Sequence, residues 1–91
     1  MRRTIHGRRF DTDTATLIGT YDMEFPRDDS TWWQASLYVT PLSKRFFLAG
    51  KGGMMSRWRA SEGIFELTRA EACAWIEEHL GNVKDYLREV A

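Results

Sequence analysis

Ninety-one residues are room for one hydrophobic core, and residues 1–91 read as a single domain. Thirteen basic and thirteen acidic side chains cancel, at an apolar share of 43%, which excludes a disordered polyelectrolyte or a wholly basic domain. No run approaches the ~20 apolar residues of a membrane span, none resembles a secretory signal, and the single cysteine, Cys73, suits a reducing cytoplasm.

The zero net charge is laid out in blocks. Residues 1–9 hold four arginines and no acid, while residues 10–43 set six acids against Arg27. Residues 44–59 hold five basic side chains and no acid, and residues 60–91 set seven acids against three basic residues. Blocks of this kind either interleave in space and cancel, or fold into faces of opposite sign that steer partners.

In chain order, Arg2–His6 and Arg8–Asp11 flank Gly7 and predict a small hairpin, with Ile5 and Phe10 as its inward anchors. The Asp11–Thr16 stretch, rich in side-chain oxygens, predicts a helical turn capped by Asp11 or Thr12. Leu17–Met23 reads as a strand in which Leu17, Gly19 and Tyr21 alternate against Ile18, Thr20 and Asp22. Phe25–Thr31, with its proline, paired aspartates and hydroxyls, is a loop.

A second hairpin follows and organises the chain. Trp33, Ala35, Leu37 and Val39 fall on one face and Gln34, Ser36, Tyr38 and Thr40 on the other. That two-residue period is what a strand with one buried face requires. Pro41–Lys44 turns the chain, and Arg45–Gly50 returns with Phe46 and Leu48 inward. Gly50–Gly53 ends the arm, Met54–Arg59 is short and basic, and Ser61–Glu66 comes back with Ile64 and Phe65 as anchors.

Thr68 and Glu71 then form a capping box, opening a helix over about Arg69–Leu80. Its buried stripe is Ala72, Cys73, Ile76 and Leu80, with Trp75 at the boundary and Glu71 and Glu78 outward. Gly81 stops it, and Asn82 caps a second helix with Val83, Tyr86, Leu87 and Val90 on one stripe. The expected architecture is α+β: a small antiparallel sheet of three or four strands with two C-terminal helices packed on one face.

Catalytic and metal signatures are missing. The glycines around Lys51 lack Walker A spacing, and His6, His79 and Cys73 make no chelating pair. No nucleophile elbow occurs, and the adjacent carboxylates fall in turns, loops or an exposed helix face. The expectation is no enzyme, no metal and no cofactor.

Two binding readings remain. The acidic one uses Asp22, Glu24, Asp28, Asp29, Glu62, Glu66, Glu71 and Glu78 as a row of carboxylates. Such a row can occupy a basic groove made for nucleic acid, because it meets the same lysines and arginines that phosphates would. The basic one uses Arg2, Arg3, Arg8, Arg9, Arg57 and Arg59, with Arg45 and the rings of Tyr38, Phe47 and Trp58, to bind nucleic acid directly. A homo-oligomer with no outside partner is a third possibility.

Three stretches also resemble a family of small proteins from phages and mobile elements. Arg8–Ile18 is similar to that family's (R/K)(Y/F)DT-x-TA opening, and Leu37–Thr40 with Arg45–Gly53 to its LY-x-T…FFL-x-G-x-GG hairpin. Leu67–Trp75 is similar to its LT-x-x-EA-x-x-W segment. Some members are anti-CRISPR proteins. The resemblance therefore implies a non-catalytic inhibitor in the cytoplasm of a bacterial host, binding a CRISPR-Cas effector protein and blocking its target DNA. It assigns structural roles to Asp11 and Thr12 as caps and to Gly50, Gly52 and Gly53 as turns. The chain departs from the pattern at Pro41–Leu42–Ser43 and in its basic Met54–Arg59 stretch.

Overall fold

Strict alternation from Trp33 to Val39 gives the central strand of the sheet in a computed structural model, which describes residues 2–22, 32–52 and 62–87. The elements are β1 (Arg2–Ile5), β2 (Arg8–Asp11), β3 (Thr16–Asp22), β4 (Trp33–Val39), β5 (Phe46–Gly52) and β6 (Glu62–Leu67). Helices α1 (Arg69–His79) and α2 (Val83–Leu87) follow. Strands β3 to β6 form an antiparallel meander in sequence order, and β1 and β2 make a separate two-stranded hairpin. The fold is thus α+β, with both helices at the C-terminal end.

Each face of the meander has its own core. On the helix side, Ala35, Leu37 and Val39 of β4, Phe46 and Leu48 of β5 and Leu67 of β6 meet Ala72, Trp75 and Ile76 of α1 and Leu87 of α2. On the other side, Phe10 of the hairpin is buried with Phe47, Ala49 and Ile64, and half-buried Ile5, Ala15 and Tyr38 pack against them. Two apolar faces on β5 explain why Phe46, Phe47, Leu48 and Ala49 are buried in an unbroken run: a strand covered on both sides loses its alternation. The rings of Phe10 and Phe47 meet edge to face at 5.3 Å, and Tyr38 stacks on Phe47 at 5.3 Å.

Three expectations need correction. Leu17 does not share a face with Gly19 and Tyr21. A β-bulge between Leu17 and Gly19 inserts Ile18, so Ile18 and Tyr21 pack on the helix-side core while Leu17 is turned out, 54% exposed. Trp75 lies in the core, because α1 crosses the sheet and its Trp75 face is roofed by β-strand side chains. Gly50 is a strand residue and not a turn, paired with both Ala35 and Gly63, while Gly52 is the last residue of β5, still paired with Trp33. Gly53, Met54–Arg59 and Val90 lie outside the described residues.

The local signals read from the sequence are in place. His6 and Gly7 both have positive φ, 50° and 78°, as a type I′ turn between β1 and β2 demands. Asp11 closes the next turn, its Oδ1 accepting from the Asp13 amide and its carbonyl from the amides of Thr14 and Ala15. Thr68 and Glu71 satisfy each other's backbone amides in a complete capping box. Asn82 Oδ1 accepts from the Lys84 amide at the start of α2.

Candidate functional site

Antiparallel pairing sorts the hairpin's arginines. Arg3 lies opposite Phe10 and Arg8 opposite Ile5, so these four residues share the face turned toward the meander. Arg2 and Arg9 share the opposite face with Thr4 and Asp11, and Arg9 approaches the Asp11 carboxylate at 3.7 Å. Arg3 reaches across to the edge strand, its Nη1 donating to the Ile64 carbonyl oxygen at 2.9 Å.

A cleft of about 770 Å³ opens between this hairpin face, the turn from β4 to β5, strand β6 and the start of α1. That volume falls within the ~300–1,000 Å³ range typical of small-molecule sites. Its floor is apolar, with Ile5, Phe46, Ile64, Phe65 and Leu67. Its rim is cationic: Arg3 and Arg8 come from the first basic block, Lys44 and Arg45 from the second, and Arg69 from the first turn of α1. His6 stands beside them. Five cations against the two carboxylates Glu66 and Glu71 leave the cleft at net +3.

Both carboxylates have work inside the protein. Glu66 accepts from Arg45 Nη1 at 3.2 Å, and Glu71 closes the capping box. With both side chains of the Arg45–Glu66 pair partly exposed, it stabilises the fold by ~1 kcal/mol or less, and its main effect is to orient the guanidinium. Arg69 lies over the Phe46 ring at 6.0 Å, a cation–π contact that holds its stem against the floor. Of the five cations, Arg45 alone meets a carboxylate within ion-pair distance among the described residues.

The turn that presents Lys44 is firmly tied. The Lys44 amide donates to the Thr40 carbonyl at 3.2 Å, and the Arg45 amide to Thr40 Oγ1 at 2.9 Å. Thr40 Oγ1 also meets Ser43 Oγ at 2.8 Å, and the Thr40 amide donates to the Arg45 carbonyl. Within this network Lys44 stands in the left-handed region, at φ 53°. For a side chain with a Cβ that conformation costs roughly 1–2 kcal/mol, which glycine would not incur.

The residues expected to form an acidic row take separate positions. Asp22 ends β3, and Glu62 begins β6 opposite Lys51. Glu66 and Glu71 line the basic cleft. Glu78 sits near the end of α1, 73% exposed and 3.8 Å from His79 Nε2. Glu24, Asp28, Asp29, Arg57 and Arg59 lie outside the described residues, as does Trp58. Of the basic set, Arg3 and Arg8 reach the cleft, while Arg2 and Arg9 are on the other hairpin face. Phe47 is fully buried, so its ring is not open to a base. Sequence reasoning missed His6, Lys44 and Arg69. Lys44 carried a signal as a charged residue in a turn next to Arg45, whereas Arg69 read only as the first residue of a helix.

At the other end of α1, His79 is enclosed by the rings of Tyr21, Trp33 and Trp75 at centroid distances of 4.7, 5.0 and 5.2 Å. This box ties the helix end to β3 and β4. Among the described residues, no group of three or more His, Cys, Asp or Glu side chains could hold a metal ion, and no helix is long and apolar enough to cross a membrane. No family model matches the chain, and the comparisons with curated proteins and with solved structures likewise find no match.

Proposed function

We propose that this chain is a non-catalytic binding protein whose basic cleft takes the backbone of single-stranded nucleic acid. The observation that carries this reading is the convergence of Arg3, Arg8, Lys44, Arg45 and Arg69, drawn from three stretches far apart in sequence, on one cleft with two carboxylates. Phosphate contacts supply affinity without reading sequence, and a cleft rimmed by guanidinium groups suits them. With Arg45 partly engaged by Glu66, about four cations remain for phosphates. The expected dependence of log K on log salt is then a slope of about −3 for a single strand. Fluorescence anisotropy with a labelled mixed-sequence oligonucleotide, titrated at several salt concentrations, measures it. Arg8→Glu combined with Arg69→Glu should abolish binding at low salt. Absence of wild-type binding at about 50 mM salt refutes the reading.

A second reading follows from the exposed Glu77 and Glu78, which give the outer side of α1 an acidic character. In that reading the chain is a phage-type inhibitor that lays this helix face on the basic nucleic-acid groove of a host CRISPR-Cas effector protein. Pull-down with assembled effector complexes, using free DNA as control bait, separates the two. Retention of an effector subunit that Glu77→Lys with Glu78→Lys abolishes favours the inhibitor. Inhibition that survives this double reversal rules the acidic face out.

A further inference from the structure

Among the described residues, the non-glycine residues at positive φ are His6 and Lys44, and both line the basic cleft. His6 sits in the β1–β2 turn and Lys44 in the β4–β5 turn, so the cleft is bordered by two left-handed turns. For His6 this is mild, since histidine is enriched in that region several-fold over most residues. For Lys44 it is a departure. Asparagine or glycine would close the same turn with less strain, because every hydrogen bond that fixes the turn uses backbone atoms or the hydroxyls of Thr40 and Ser43. The Lys44 side chain contributes to none of them, is exposed, and makes no ion pair among the described residues. Strained backbone at a cleft, held by surroundings that over-determine it, points from geometry toward a functional contact.

We infer that Lys44 is a phosphate-contacting residue of the cleft, presented at its mouth by a left-handed turn that a lysine occupies at a cost in stability. The inference rests on the nucleic-acid reading and deepens it by naming the contact. The ammonium supplies a point charge to a phosphodiester of the bound strand, while Arg3, Arg8 and Arg69 supply flat, forked donors along the rest of the rim.

The contact and the strain have opposite signatures in one variant. Lys44→Asn relieves the turn and removes the charge. Its melting temperature should rise by about 2–5 °C, while affinity for a single-stranded oligonucleotide at about 50 mM salt falls about tenfold and the salt slope becomes shallower by about 0.7. Lys44→Arg keeps both charge and strain and should leave melting temperature and affinity near wild type. Lys84→Asn makes the same charge change on α2, away from the cleft, and should leave affinity unchanged. Wild-type binding that Lys44→Asn does not weaken overturns the inference and leaves the nucleic-acid reading standing. Equal losses for Lys44→Asn and Lys84→Asn overturn it too, since only net charge is then being read. An unchanged or lower melting temperature for Lys44→Asn removes the strain on which it depends. No wild-type binding to the oligonucleotide, with Lys44-dependent capture of an oligo-glutamate peptide instead, overturns both readings.

Discussion

Replacing Gly50 by alanine tests the centre of the sheet. Gly50 lies in β5 directly opposite Ala35, with Gly63 on its other side. A Cβ there would press into the Gln34 carbonyl oxygen and lie 2.9 Å from both Cα and Cβ of Ala35. These are mostly backbone atoms of β4, a strand hydrogen-bonded on both sides, so neither strand can move without breaking a ladder. Overpacking of this kind costs about 1–3 kcal/mol, and unyielding neighbours put it near the upper end. Alanine returns about 0.7 kcal/mol through the unfolded state, since Gly50 is not among the positive-φ glycines. The net loss is about 2 kcal/mol, a fall of about 8–16 °C in melting temperature for a domain of this size.

Gly19→Ala is the matched control. Its Cβ would meet Leu80 Cδ1 at 2.5 Å, the far end of a flexible side chain that a rotamer adjustment relieves. Rotamer strain of about 0.5–1.5 kcal/mol is then largely offset by the same gain, and Gly19→Ala should melt within a few degrees of wild type. Thermal unfolding followed by far-UV circular dichroism measures both. Equal, small effects for the two variants would refute the pairing of Gly50 with Ala35 and with it the register of β4 on β5.

Two further substitutions probe the layers on either side. Thr68→Ala removes the hydroxyl that accepts from the Glu71 amide and should cost about 1 kcal/mol in urea unfolding, with Thr68→Ser recovering most of it. Phe10→Ala empties the core beneath the hairpin, where Phe10 is fully buried against Phe47; a loss of about 3–5 kcal/mol is expected. Hydrogen exchange should show β1 and β2 amides losing protection first, and uniform loss across the meander would contradict separate cores on the two faces.

What the amino-acid sequence determined by itself was local. Alternation along Trp33–Val39, the glycine after His6, the Asp11 turn and the Thr68–Glu71 box each act over a few residues, so their physical cause is visible in the chain itself. The order of elements and the α+β class followed from them. What only the tertiary structure decided was which residues meet. The bulge at Ile18 turned Leu17 outward, and the hairpin folded back over the meander gave β5 a second buried face that alternation alone could not announce. The cleft is of the same kind. Arg3 and Arg8 face inward because of a hairpin register, Lys44 because of a left-handed turn, and Arg69 because a helix begins beside β6. Charge blocks separated by dozens of residues become one basic surface only when chain packing brings them to the border of one cleft, and that placement is written in no single stretch of the sequence.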